Sequence, residues 1–408
     1  MDLRSKLGLY GLNPEQKADI RKEREIDVLV PGDVQSNDNG SCYVIENKYP
    51  SSYIHGGISL GDALAISEDL LATLGGADCK TLEADKLLYL DTETTGLSGG
   101  AGTLVFLAGV GFFEDGIFVV RQYFLRDYDE EAAMLTELKG LFEKYQGFVT
   151  FNGKAFDINL LESRFITNRI RTAIKDKPNV DLLYPSRKVW GLKLESCRLG
   201  SLEENVLGEY RCDDIPGAMI PAVYFKYLDD RDATDIKRVI RHNEMDILSM
   251  VSLMVKLASM LQNPVKETDG GYELLGVGKI FEATGQTDSM LDCFEACTDS
   301  ECYSVKSQAV KRLGGLYKRK GEYDLALMHW KAMELENPGF ETFHLVEIAK
   351  YYEHKAKDIK TALEIVEKAL QNYIKAGISS SSRLADLKKR RERLLKKLER
   401  EIEKHEIS

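Results

Sequence analysis

Leu87-Leu88-Tyr89-Leu90 is an unbroken apolar run that enters Asp91, the pattern of a strand buried on both faces. After a glycine-rich turn from Gly96 to Gly102, residues 103–113 and 116–124 predict two further strands. Glu114-Asp115-Gly116 between them supplies a hairpin turn. Residues 129–145 carry Ala133, Leu135, Leu138, Leu141 and Phe142 near a period of 3.6, with acidic residues in the first turn, and predict a helix. Residues 148–151 predict a fourth strand, residues 155–169 a second helix, and residues 232–262 a long amphipathic helix. Upstream, residues 1–40 are polar and charged and are expected to form a loosely held arm. A short strand at Cys42–Glu46, a turn at His55-Gly56-Gly57 and a helix are expected to cover one edge of the strands downstream.

Pro264 and the polar stretch from Lys266 to Gly271 mark a domain boundary. Beyond it the pattern repeats. Gly278, Phe281, Gly285 and Phe294 are answered by Gly314, Tyr317, Gly321, Ala326, Trp330 and Pro338, and then by Ala349, Tyr352, Ala362, Val366 and Ala369. The spacing is close to the roughly 34 residues of tetratricopeptide helix pairs, which stack into a solenoid. Residues 381–408 form a charged helix rich in Lys388, Lys389, Arg390, Arg391, Lys396 and Lys397. The expected division is therefore 1–85 arm and covering segment, 86–262 α/β domain, 272–375 helical repeats and 381–408 charged helix. The order of three strands, helix, strand and helix is that of a ribonuclease H-like α/β core, a mixed central sheet flanked by helices.

Composition adds limits. The 408 residues are 43% hydrophobic and 30% charged, a globular balance, and no stretch reaches the roughly 18 apolar residues of a membrane span. The N-terminal residues lack a secretory pattern, so a cytoplasmic protein with no membrane association is expected. The seven cysteines are expected as thiols. Cys293, Cys297 and Cys302 lack a nearby histidine and the CxxC spacing of a zinc site. A net charge of −11 argues against indiscriminate nucleic-acid binding while leaving room for a local basic groove.

The candidate chemistry lies in carboxylates. Asp91 and Glu93 are two apart at a strand end and project to one face. Asp157 follows the Asn152-Gly153 turn after another strand and opens a helix. His242 and Asp246 are four apart on one helix face. Four converging carboxylates need neutralising cations, and two Mg²⁺ or Mn²⁺ ions suit an all-oxygen pocket and in-line attack on phosphorus. His242, the one histidine between Lys86 and Leu261, is the candidate base. Arg187, Lys188, Trp190, Lys193 and Arg198 put an aromatic among cations, a pattern suited to a single strand, though a packed Trp190 is an equal reading.

Asp91-Thr92-Glu93-Thr94-Thr95-Gly96-Leu97, Asn152 to Asp157, and His242 to Asp246 resemble the three motifs of the DEDD exonucleases related to the proofreading subunit of DNA polymerase. Family members with a histidine base space it one residue further from the aspartate. With Asp181-Leu182-Leu183-Tyr184, Arg187, Trp190 and the repeats, the chain resembles the bacterial mitomycin repair factor B type. The resemblance implies stepwise 3′→5′ removal of nucleotides, more from DNA than RNA, and Asp91, Glu93, Asp157 and Asp246 as metal ligands. It further implies contacts of Thr94, Leu97 and Asn152 with the substrate strand, and a helicase as protein partner. The competing expectation is a binding module whose repeats do the work beside a weak or RNA-directed nuclease core.

Overall fold

The computed structural model describes residues 22–96, 102–336, 342–378 and 380–407. The chain divides into two units, Met1–Glu267 and Thr268–Ser408. The expected contributions of residues 1–21, Leu97 and Pro338 lie outside the described residues.

The first unit is built on a seven-stranded sheet of β1 (Asp33–Asn37), β2 (Gly40–Pro50), β5 (Leu87–Thr94), β6 (Val105–Glu114), β7 (Ile117–Phe124), β8 (Gly147–Thr150) and β9 (Asn179–Asp181). The spatial order is β1-β2-β7-β6-β5-β8-β9. A separate small hairpin joins β3 (Ile54–His55) to β4 (Ile58–Ser59). The strands from β1 to β5 pair antiparallel, while β5, β8 and β9 run parallel. This is the mixed sheet expected from the pattern, with one correction. Residues 33–50 do not form an arm and a cover. They extend the sheet by two strands, because Cys42, Tyr43, Val44 and Ile45 are consecutively buried once β2 pairs with β7. Beyond Ile45 the strand is exposed or half-buried and its residues are polar apart from Tyr49 and Pro50, so the apolar pattern stops before the pairing with β7 does.

Among the described residues, the helices of eight residues or more that flank the sheet are α1 (Glu68–Gly75), α2 (Glu131–Lys144), α3 (Asp157–Thr167), α4 (Leu183–Trp190), α5 (Ile220–Asp230) and α6 (Thr234–Gln262). Leu88 and Leu90 of β5 share one core cluster with Leu138 and Phe142 of α2 and Leu161 and Phe165 of α3. The alternate positions face α6, and the Tyr89 hydroxyl reaches Met254 Sδ at 3.9 Å. Period two along β5 therefore sends Asp91 and Glu93 to the α6 side.

The second unit is helical: α7 (Gly271–Thr284), α8 (Thr287–Thr298), α9 (Tyr303–Lys320), α10 (Tyr323–Glu336), α11 (Phe343–Tyr351), α12 (Ile359–Lys375) and α13 (Ser382–Ile407). The repeated small residue on alternate helices has a steric cause. A Cβ at Gly314 would collide with the Trp330 indole, so glycine there lets α10 close against α9. Cys293 and Cys297 are buried thiols whose pKa burial pushes up to about 12, as packing residues rather than ligands. Among the described residues no helix is long and apolar enough to cross a membrane.

Candidate active site

The parallel pairing of β5 with β8 brings their carboxyl ends together, the usual place for a ligand in an open α/β sheet. Asp91 and Glu93 come from β5. The turn after β8 supplies Asp157 as the first residue of α3. That turn requires its residues: Asn152 sits at φ 68°, a left-handed conformation that asparagine tolerates. The buried carboxylate of Asp181 then accepts the backbone N–H of Asn152 at 2.8 Å, of Lys154 at 3.1 Å and of Leu183 at 3.2 Å. Asp181 thus holds the loop that presents Asp157. Thr92, on the face of β5 opposite Asp91, donates its hydroxyl to Asp157 Oδ1 at 2.5 Å.

The fourth element is α6, docked by a buried amide relay. Gln122 Nε2 donates to Asn243 Oδ1 at 2.8 Å and to the Ile240 carbonyl at 2.7 Å. Asn243 Nδ2 donates to Asp91 Oδ2 at 2.7 Å. Asn243 is fully buried, and a Cβ at Gly109, opposite Asp91 in β6, would strike its amide. Gly109 therefore permits the approach of α6. On the flank, Asn47 and Tyr49 of β2 both donate to Glu244 at 2.6 Å. These contacts set the rotation of α6, and with it His242 and Asp246.

Glu93, His242 and Asp246 each offer a ligand atom within 4.8 Å of the others, the one such grouping among the described residues. The carboxylates feel one another. Burial, then the charges of Asp246 and Asp157, hold Asp91 well above the usual carboxylate range. Burial, then Asp91, Asp246 and Asp157, do the same for Glu93. Burial pushes Asp157 up to about 6 against the opposing bond from Thr92. Acids forced together this way fit divalent cations: the donors are hard oxygens with one imidazole, and the pocket holds more negative charge than protein cations cancel.

The principal protein counter-charge is Arg211, which neither pattern nor motif singled out. Its guanidinium pairs with both Asp246 and Glu203 and is largely buried. It approaches His242 Nδ1 at 3.2 Å, but Asp214 Oδ1 is closer to that nitrogen at 2.7 Å. A neutral imidazole with its proton on Nδ1 donates to Asp214, which leaves the Nε2 lone pair, 3.6 Å from Asp246 Oδ2, on the carboxylate side. Arg211 and Asp214 lie in an irregular segment with no periodicity. Only the partial sequence signal of an arginine followed by two aspartates marks it.

The other site expectations divide. Trp190 is fully buried, so it is core and not a stacking surface. Arg187 is exposed on the same helix, and Tyr184, three residues before it and 49% exposed, offers the aromatic face that Trp190 does not. Thr94 is buried and donates its hydroxyl to the Gly96 carbonyl at 2.9 Å, which makes it a turn residue here. Asn152 is half-buried, and its backbone serves the Asp181 latch.

A pH experiment reads the repulsion. Asp157 has a folded pKa raised from 3.8 to about 6, so the protonated form favours folding and that contribution is lost as pH rises through about 4 to 6. In EDTA, Asp157→Asn is expected to become progressively more stable than wild type over that window. Thermal unfolding of the two proteins from about pH 4 to about pH 7 measures the gap, and a constant gap would refute the assignment. Saturating Mn²⁺ is expected to close it, because the cation needs the ionised acid.

Comparisons with known proteins bear on the family of the chain. A family model described as the RNase_H superfamily matches residues 88–258, a segment that contains Asp91, Glu93, Asp157, His242 and Asp246. "Uncharacterized protein YprB" of Bacillus subtilis (strain 168) is 30% identical over 339 residues, 81% of this chain and 81% of its own length. Among solved structures, the family B DNA polymerase from the hyperthermophilic archaeon Pyrobaculum calidifontis is similar with a TM-score of 0.35 and 16% identity. The likeness covers 52% of this chain and 29% of the polymerase chain.

Proposed function

Since the chain belongs to the RNase H superfamily, we propose that it is a metal-dependent 3′→5′ exonuclease of the DEDD type, acting on DNA during repair in the cytoplasm. One observation carries the reading. Asp91, Glu93, Asp157 and Asp246, from three separate elements, act on one another electrostatically at the carboxyl ends of β5 and β8, with His242 beside them.

Asp91, Glu93, Asp157 and Asp246 would hold two divalent cations, Mg²⁺ or Mn²⁺, which when bound supply charge neutralisation and activation of water for attack on phosphorus. The remaining work falls to the chain. Asn243 orients the Asp91 carboxylate, and Thr92 that of Asp157. Asp214 keeps the proton on His242 Nδ1, so Nε2 can take the proton of the attacking water. Arg187 and Tyr184 offer a cation and a ring to the strand leading into the site. The helical hairpins of the second unit are read as tetratricopeptide repeats that hold a protein partner, a helicase in the mitomycin repair factor B type that the chain resembles.

The test is a time course on end-labelled DNA and RNA strands with Mg²⁺, Mn²⁺ or EDTA. Mononucleotides released in order from the 3′ end of DNA, and none in EDTA, are expected. Release from RNA alone would move the activity to a ribonuclease. No turnover with either metal would leave a binding module.

A further inference from the structure

Helices α9, α10, α11 and α13 wall a concave pocket of about 930 Å³ in the second unit. Eight lysines and arginines line it against two carboxylates, Glu347 and Asp386. The wall is basic although the net charge of the chain is −11.

Half of those cations are already engaged. Lys318 and Lys350 each bond Glu347 at 2.5 Å, and Arg390 and Arg393 bond the buried Glu353 at 2.6 and 2.8 Å. Burial, outweighed by Arg393 and Lys397 beside it, leaves Glu353 down at about 2, so it stays ionised and holds these cations in place. Lys311, Arg319, Arg383 and Lys389 have no carboxylate partner among the described residues. They surround a floor that includes Val346 and the buried Leu387.

Two kinds of polyanion match that charge, and the rings of the wall decide between them. A nucleic-acid strand held without base reading needs free aromatic faces on which bases stack. Here Lys311 covers Phe343 at 5.8 Å, Lys355 covers Tyr323 at 4.3 Å, and Trp330 is 2% exposed. The rings are taken, and the surface left over is uncommitted cations above an apolar floor. Carboxylate side chains that alternate with apolar ones fit such a surface. The volume is near the upper end of the roughly 300–1,000 Å³ of enclosed ligand sites, enough for a short peptide and too small for a globular face.

We propose that this pocket is the docking site for a short acidic peptide segment of a partner protein, with Arg319, Arg383 and Lys389 as its carboxylate-binding groups. The proposal rests on the reading of the helical hairpins as partner-binding repeats, and it is independent of whether the first unit cleaves DNA.

The experiment uses the full chain in EDTA and a short fluorescein-labelled peptide of alternating glutamate and leucine, with anisotropy as readout. Saturable binding that weakens with salt is expected, with none for the glutamine-leucine peptide. The double variant R319E/K389E reverses two exposed charges outside the hydrophobic core and should fold as wild type, checked by circular dichroism. It is expected to weaken the peptide at least about tenfold while nucleotide release from DNA in Mn²⁺ stays unchanged. Absence of saturable binding to wild type, equal binding by the double variant, or displacement of the peptide by oligothymidine at lower concentration would each overturn the proposal. The last result would make the pocket a nucleic-acid path. Absence of nuclease activity in wild type would sink the proposed function and leave this one standing.

Discussion

Asp91→Asn is expected to lower nucleotide release by roughly 10³-fold or more and, at the same time, to raise the melting temperature of the protein in EDTA. The loss follows from removing one ligand of a centre that contributes several kcal/mol to the transition state. The gain follows from the structure. Asp91 is a buried acid next to Asp246 and Asp157, and an amide of the same shape removes the repulsion while still accepting the bond from Asn243. Asp246→Asn should cost the same activity with the opposite effect on stability, because it deprives the buried Arg211 of one of its two closest carboxylates. Arg211→Gln completes the set. It removes the guanidinium paired with Asp246, and Mn²⁺ binding followed by calorimetry is expected to tighten. Thermal unfolding with and without Mn²⁺, beside a labelled-strand assay, reads all three variants. Wild-type activity in Asp91→Asn would end the reading of this pocket as the catalytic centre.

His242→Ala is expected to lower kcat by roughly 10²–10⁴-fold at saturating Mn²⁺, the range for loss of a general base. Asp214→Asn should give a smaller loss with a distinctive signature. Asparagine can turn its amide nitrogen toward Nδ1, which favours the tautomer with the proton on Nε2, so kcat should fall while KM and the melting temperature hold. A purely structural Asp214 would instead lower the melting temperature along with the activity. His242 could instead serve as a ligand, since it groups with Glu93 and Asp246. In that case His242→Ala would raise the Mn²⁺ concentration for half-saturation and restore kcat at excess metal, an outcome that removes it as base.

The N-terminal strands and the site illustrate which information is local. Leu87 to Leu90 announced a buried strand because every position is covered, and α6 announced itself through about eight turns of amphipathic periodicity. The full length of β2 was hidden for a different reason: past the buried Cys42–Ile45 core its residues run Glu46, Asn47, Lys48, Tyr49 and Pro50, exposed or half-buried, and their polar composition and the proline mask a strand that only pairing with β7 reveals. Trp190 shows the reverse error. An aromatic among arginines and lysines has the composition of a strand-binding surface, yet the helix turns its cations outward and its indole inward. Composition carries no phase, and phase decides which side of a helix meets the core.

Within the site, the sequence alone determined the candidate acids and their elements. Spacing of two on a strand and four on a helix is set by backbone geometry, so Asp91 with Glu93, and His242 with Asp246, share a face in any fold that keeps those elements. Tertiary structure decided everything that depends on one element meeting another. It chose the rotation of α6 through Gln122, Asn243 and the gap at Gly109, brought Arg211 from an irregular segment to Asp246, and placed Asp214 behind His242. Those contacts join residues up to 152 positions apart. No local pattern encodes them, because the forces that create them, burial of charge and the demand for a hydrogen bond, act only after the chain has packed.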